Sequence, residues 1–357
     1  MEKRMKNGSI YFVSDKAVHD ALTQYRFKKD DLKEIFLSRG IITSPHTPRE
    51  DVAMYFSTLN HDYYDHQKIA EVFAVDRRKD KTSVTTVAGN LSRLKIQAAL
   101  KQVSEKVKQS GDASNVVNHQ GYAEISFKYE EVDYNKTEFK QVSVRESSIR
   151  VEYTEDGCVL RWPHVAYAEK ARELILDCFQ AESESDLDIQ EVSLAHIDDP
   201  SLVSEFFTLL SHDIDGFSLV TVTDVYFFNP NKSSDDEDQI VHIDKASLKG
   251  SGVTHSPELK NLQDQGFYIW KIRWQSQNAA EGSDIYEFEA QLSDPETRSE
   301  VSYVVLGYYE KKPYGDEYVK TRKRVSKSEE IRVGKILEKA INFAFSSISS
   351  SGEEGDE

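Results

Sequence analysis

The residues best suited to chemistry sit in the run His61-Asp62-Tyr63-Tyr64-Asp65-His66. Imidazole and carboxylate are ligands that a divalent cation accepts. On a helix, His61 with Asp65 and Asp62 with His66 stand four apart, so each pair shares a face. The two pairs are offset by about 100° around the axis and do not close into one compact four-ligand site. A metal centre on His61, Asp62, Asp65 and His66 therefore needs ligands from elsewhere, and surface His–Asp pairing with the tyrosines turned inward is the plainer expectation. No cofactor is predicted beyond such a divalent metal.

Other clusters are weaker. His212-Asp213-Ile214-Asp215-Gly216 reads as a helix-ending turn, and Gly250-Ser251-Gly252 beside Lys249 and His255 lacks the Gly-Lys-Ser/Thr ending of a phosphate loop. Asp284, Glu287 and Glu289 have the carboxylate chemistry of a metal-dependent nuclease. The lysine such a site uses is absent from Glu289-Ala290-Gln291. Lys271 and Arg273 on one strand and Glu287 and Glu289 on the next instead predict cross-strand ion pairs on a solvated sheet face. There is no Gly-x-Ser-x-Gly elbow, and Cys158 and Cys178 form no metal pattern and read as packing residues.

The cations Arg26, Lys28, Lys29, Lys33, Arg39 and Arg49 lie on a short helical hairpin. Asp30 or Asp31 caps its first helix, Leu32, Ile35 and Phe36 recur at i, i+3, i+4, and Gly40 follows the end. Thr47-Pro48-Arg49-Glu50 opens the second helix, with Thr47 as cap, Pro48 at the first helical position and Glu50 reaching back. Ile41 to His46 between them is extended, and its isoleucines should pack between the helices. Helix, Gly-Ile, extended link, Thr-x-x-Glu, helix, over residues 27–59, resembles the SAP-type helix-extended-helix module, a family whose role is to hold DNA, often beside another domain. The turn departs from it in the bulkier Ser44-Pro45-His46, and Tyr55 stands where a basic residue often closes the second helix. The resemblance implies that the six cations reach phosphates as point charges or forks. Lys320, Arg322, Lys323, Arg324 and Lys327 form a second basic run.

Charge divides the chain. Its 357 residues carry a net charge of −17, yet residues 1–110 hold 20 Lys and Arg against 14 Asp and Glu, while the rest holds 25 against 48. A basic end that meets an anionic partner and an acidic body that meets a protein follow from this asymmetry. At 38% hydrophobic and 11% aromatic the composition is globular, with room for more than one core. Two cysteines fit a reducing compartment, Met1 to Lys6 has no apolar run behind it, and no segment approaches a membrane span, so the expected location is cytoplasmic.

The element pattern predicts an α+β chain: an N-terminal helical module followed by two units of antiparallel sheet with covering helices. Ser14-Asp15 starts a helix with Ala17, Val18, Ala21, Leu22 and Tyr25 inward, the hairpin follows, and a further helix carries Ile69, Ala70 and Phe73. After the charged break Asp76 to Lys81, a helix capped by Asn90 presents Leu91, Leu94, Ala98 and Val103, completing a basic module over 1–110. Gly111 to Asn118 reads as a linker. Residues 118–181 form a small sheet with the Asp156-Gly157 hairpin and one helix, and the acidic stretch from Glu182 to Asp188 is a second linker. Residues 189–348 hold helices opened by Asp199-Pro200, Ser256-Pro257 and Ser326, a central strand from Gly216 to Asn229, the acidic loop Asn231 to Asp238, and a three-strand meander. Residues 349–357 should be a disordered acidic tail.

These readings converge on a nucleic-acid-associated accessory or scaffold protein that is not an enzyme, its basic module on DNA or RNA backbone and its acidic body on a protein partner subunit. The organisation is like that of accessory subunits of bacterial anti-phage or DNA-processing systems. A metal-dependent hydrolase or nuclease, and a pure protein-interaction adaptor, are the alternatives.

Overall fold

The computed structural model of the chain describes residues 13–74, 79–230, 245–250, 256–279 and 283–353. In chain order its elements are α1 (Asp15–Thr23), α2 (Lys29–Ser38), α3 (Arg49–Ser57), α4 (Tyr63–Ala74), β1 (Thr82–Ala88), α5 (Arg93–Gln109), β2 (Ala113–Asn118) and β3 (Tyr122–Val132). Then come α6 (Glu138–Gln141), β4 (Val142–Tyr153), β5 (Gly157–Pro163), α7 (Ala166–Glu182), β6 (Asp188–Glu191), α8 (Pro200–His212), β7 (Phe217–Phe228) and β8 (Lys245–Lys249). The last are α9 (Pro257–Asp264), β9 (Tyr268–Asn278), β10 (Ile285–Asp294), β11 (Ser299–Tyr309) and α10 (Lys327–Glu353). The class is α+β, and the paired strands are antiparallel. The chain forms two compact units: Met1–Arg78, Arg93–Ile149 and Leu174–Glu182 in one, Lys79–Ser92, Arg150–Glu173 and Ser183–Glu357 in the other.

The first unit is built around aromatic rings. Phe36 lies 5.1 Å from Phe56 and Phe27 6.2 Å from Phe73, with Val18, Leu22 and Ile69 in the same cluster. Burying each such ring stabilises the fold by about 1.5–3 kcal/mol. Ser14 Oγ accepts the Ala17 amide at 3.2 Å and starts α1 as expected. The helix stops at Thr23, however, and Tyr25, read as part of its inward face, is exposed instead. In α5 the buried face is Ile96, Ala99, Leu100, Val103 and Val107, while Leu94 stands 77% exposed. The helix begins at Arg93 rather than at Asn90, and the set with true 3.6-residue spacing faces inward. Ala113–Asn118 is no linker: it is β2, paired with β3 from Ala113 opposite Lys128 to Asn118 opposite Ala123. As an end strand it pairs through its backbone and needs no apolar alternation, which is why its composition hid it.

In the second unit the strand order is β4-β5-β1-β11-β10-β9-β7-β8, with β6 also bonded to β1. The Asp156-Gly157 hairpin forms as read, Tyr153 opposite Cys158. Gly157 has φ +155°, and a Cβ there would stand 2.1 Å from the Val87 carbonyl oxygen, so no other residue fits. The meander β9-β10-β11 is as expected. The strand from Phe217 is next to last in the order rather than central. One core gathers Phe206 and Phe207 of α8, Trp274 of β9, Phe288 of β10, and Leu337 and Ala344 of α10. Asp199 caps α8 and Ser326 caps α10, accepting from Ser201 and Glu329 amides at 2.8 and 3.2 Å. The acidic stretch from Glu182 to Asp188 is a connection as read, joining the end of α7 to the first residue of β6 with no helix or strand between, whereas α10 reaches Glu353, so residues 349–353 are helical rather than a disordered tail. Residues 354–357, the loop Asn231 to Asp238, the segment Ser251 to His255 and Met1 to Lys6 lie outside the described residues.

Candidate nucleic-acid interface

The six cations read from the sequence divide into an outward and an inward set. Arg39 turns inward: its guanidinium pairs with both carboxylate oxygens of Asp65, donates to the Asn60 carbonyl, and lies 5.2 Å over the Phe56 ring. Gly40 (φ +72°) ends α2 and sends the chain back so that Ile41 N–H reaches the Phe36 carbonyl at 3.0 Å. Burial acts to raise the Asp65 carboxyl, but the Arg39 bond and the Asp62 backbone outweigh it and hold the carboxyl below its ordinary value. Arg49 is likewise engaged, donating to the Gln24 carbonyl at 2.6 Å. These two arginines staple the module and leave little of their charge for a partner.

Lys28, Lys29 and Lys33 are exposed, Arg26 is half-buried, and none of the four has an ion pair among the described residues. They flank a turn held from several sides. Phe27 N–H donates to the Gln24 carbonyl at 3.0 Å, Lys140 Nζ donates to Gln24 Oε1 at 2.7 Å, and the buried Phe27 ring anchors the turn in the core. With Phe27 inward, Tyr25 is left 94% exposed beside the cations. Asp31, three residues into the helix rather than at its cap, accepts the Lys28 amide at 2.7 Å. Asp30 and Asp31 both favour the positive end of the α2 dipole.

The link and the second helix differ from the sequence reading. Pro48, not Thr47, is the residue before α3, and no side chain caps that helix. Ile41 packs on the core, but Ile42 is 88% exposed. Met54 and Tyr55 of α3 and Leu37 of α2 are exposed as well.

The His61 to His66 run is not one helical face. The helix begins at Tyr63, and Asp62 caps it: Asp62 Oδ1 accepts the Asp65 amide at 2.9 Å and Asp65 Oδ2 accepts the Asp62 amide at 3.2 Å. Both carboxylates are spent on that cap and on Arg39. The imidazoles pack on aromatic rings, His61 4.8 Å from Phe56 and His66 6.1 Å from Phe139, while Tyr63 and Tyr64 point outward. Burial, with Arg39 adding to it, lowers the His61 pKa. No group of three or more His, Cys, Asp or Glu able to hold a metal occurs among the described residues.

The sheet carboxylates of the second unit are equally committed. Glu289, only 4% exposed, accepts Arg273 Nη2 at 2.7 Å and meets Lys81 at 2.9 Å and Lys271 at 3.0 Å. The cross-strand pairing read from the sequence is present, on a buried face rather than a solvated one. Burial tends to raise the Glu289 carboxyl, yet Arg273 and the lysines bring it down to about 2. Glu287 takes Arg322 at 2.6 Å and the Tyr309 hydroxyl at 3.0 Å, and Asp284 accepts the Lys311 amide at 2.9 Å. The three do not converge on one ion. In the second basic run, Arg322 and Lys323 are paired with Glu287 and Glu310.

A helical period continued past Thr23 turns Tyr25 inward and hides its exposure. The available signal was Phe27, whose burial forces its neighbours out of the turn. Comparison with family models and with curated proteins finds no match for this chain.

Proposed function

We propose that this chain is a nucleic-acid-associated accessory or scaffold protein. Its N-terminal helical unit contacts the DNA or RNA backbone, and its acidic α+β body docks a protein partner. One observation carries the reading: Tyr25, almost fully exposed on a turn anchored by the buried Phe27, stands beside Arg26, Lys28 and Lys29, with Lys33 one helical turn further. A projecting ring stabilises nothing inside the fold, and a ring among unpaired cations has the chemistry to stack on a base while the cations hold phosphates. The helix, link and helix order, with its resemblance to the SAP-type module, and the positive charge of residues 1–110 support the same surface. Nothing there is arranged for base readout, so binding is sequence-tolerant.

The test is a titration of labelled single-stranded DNA, duplex DNA and RNA with the intact chain and with its K28E/K29E/K33E variant. Binding by the first and loss in the second is expected. No binding at low salt overturns the proposal. A second reading, a protein-interaction adaptor, is favoured by the exposed Leu37, Ile42, Met54 and Tyr55 on the same hairpin. It is distinguished by partner binding that K28E/K29E/K33E leaves intact and Ile42→Glu abolishes.

A further inference from the structure

Two strands share one edge of β1. The opposite edge is filled by β5 along its length, from Thr82 facing Pro163 to Ala88 facing Gly157. On the shared edge β11 pairs as far as Ser83, which faces Ser302, and β6 takes over at Thr85, which faces Glu191. Continued in register, β11 would place Glu300 opposite Thr85, where Glu191 already sits. The chain avoids that clash by turning sharply at Arg298 (φ +55°) and Glu300 (φ +36°), a region that side chains other than glycine rarely adopt. Two backbone bonds sew the hand-over together: Leu194 N–H to the Arg298 carbonyl and Val301 N–H to the Val192 carbonyl, both 3.0 Å.

The hand-over brings two carboxyl groups, Glu191 and Glu300, to the same Arg172 guanidinium. Glu191 accepts the Thr85 hydroxyl at 2.7 Å and is paired with Arg172, whose guanidinium lies 4.9 Å over Trp162. Glu300 lies 3.9 Å from Arg172 and 3.8 Å from His164 Nδ1, which is 3.4 Å from the Ser83 hydroxyl. Glu169 of α7 and Lys81 before β1 also face the cluster, Glu169 acting on both Glu300 and His164 and Lys81 on His164. Burial lowers the His164 pKa, which leaves Arg172 as the cation nearest the two carboxyls. One guanidinium neutralises one carboxylate, and the other must be protonated or repel its neighbour.

We propose that the Glu191–Glu300 pair is a proton-operated latch: a shared proton holds β6 and the turn before β11 on the edge of β1, and its loss sets them free. The left-handed backbone at Arg298 and Glu300 lies in the segment that the latch holds. Burial and then the Glu191 charge push the Glu300 carboxyl up to about 7, against an ordinary 4.5. A raised carboxyl stabilises the fold fully below its unfolded value and loses that contribution as pH rises through its folded value. The latch therefore closes in mild acid and opens across neutrality.

Amide hydrogen exchange of the intact chain between about pH 5.5 and 8.5, corrected for intrinsic rates, tests this. Protection of peptides covering residues 188–194 and 298–301 should fall about tenfold or more as pH rises, while β10 peptides stay constant. Glu300→Gln should keep protection high at all pH values. Glu191→Gln, which removes the like charge and frees Arg172 for Glu300, should move the response to lower pH. Flat protection in the wild-type chain, or an unchanged pH response in both variants, overturns the latch.

Discussion

The division of the six cations predicts a specific salt dependence. Lys28, Lys29, Lys33 and Arg26 have no ion pair among the described residues, whereas Arg39 is tied to Asp65 and Arg49 to the Gln24 carbonyl. Each phosphate neutralised contributes about −0.9 to the slope of log K against log salt on duplex DNA, and about −0.7 on a single strand. Four cations give slopes of about −3.6 and −2.8, so raising salt from about 50 to 200 mM weakens binding about 150-fold on duplex and about 50-fold on a single strand. Six would give about −5.4 on duplex. Fluorescence anisotropy of a labelled oligonucleotide over that salt range measures the slope directly. K28E/K29E/K33E should abolish binding at the higher salt. Arg39→Met should leave the slope unchanged while destabilising the fold by about 3 kcal/mol, because it strands the Asp65 carboxylate. A slope near six cations, or one that falls in Arg39→Met, would refute the division.

Further outcomes follow from the same geometry. Tyr25→Ala should weaken single-strand binding by about 1–3 kcal/mol without changing the salt slope or the melting temperature, since the ring contributes stacking and no core contact; an unchanged affinity would remove the stacking role. Glu289→Gln should cost about 3 kcal/mol in urea unfolding at pH 7, the equivalent of a carboxyl brought from 4.5 to about 2. That contribution is complete above pH 4.5 and is lost as pH falls through about 2. A cost below about 1 kcal/mol would mean that the pair is solvated. His61, its pKa lowered by burial and then by Arg39, stabilises the first unit above pH 6.5 and ceases to do so as pH falls through its lowered value. His61→Phe should blunt this acid loss in urea midpoints compared at pH 7.5 and 5, and an identical loss in the variant would exclude His61 as its source.

Local signals carried much of the fold. Caps at Ser14, Asp199, Ser256 and Ser326 mark real helix starts, and Asp156-Gly157 and the three-strand meander stand where alternation put them. What could not be read was pairing at a distance. Thr82–Ala88 pairs with β5 along its length and takes Asp188–Glu191, about 100 residues on, along its other edge, and neither strand has a turn signature to announce it. The site was legible in charge but not in orientation. Nothing in the spacing of Arg39 and Arg49 shows that Asp65 and the Gln24 carbonyl claim them. The i, i+4 pairing of His61 with Asp65 failed because Asp62 starts the helix rather than riding on it. Glu191 and Glu300 sit in an acidic run and beside a turn, and only the exchange of strands on β1 gives them a common proton.

Photo-crosslinking of the intact chain to a labelled single strand at low salt, with the modified peptides mapped by mass spectrometry, tests the interface most directly. The adducts should fall in the peptide that carries Tyr25 to Lys33 and disappear in K28E/K29E/K33E. Adducts confined to the Lys320 to Lys327 run, or none at all, would contradict a nucleic-acid surface on the N-terminal unit.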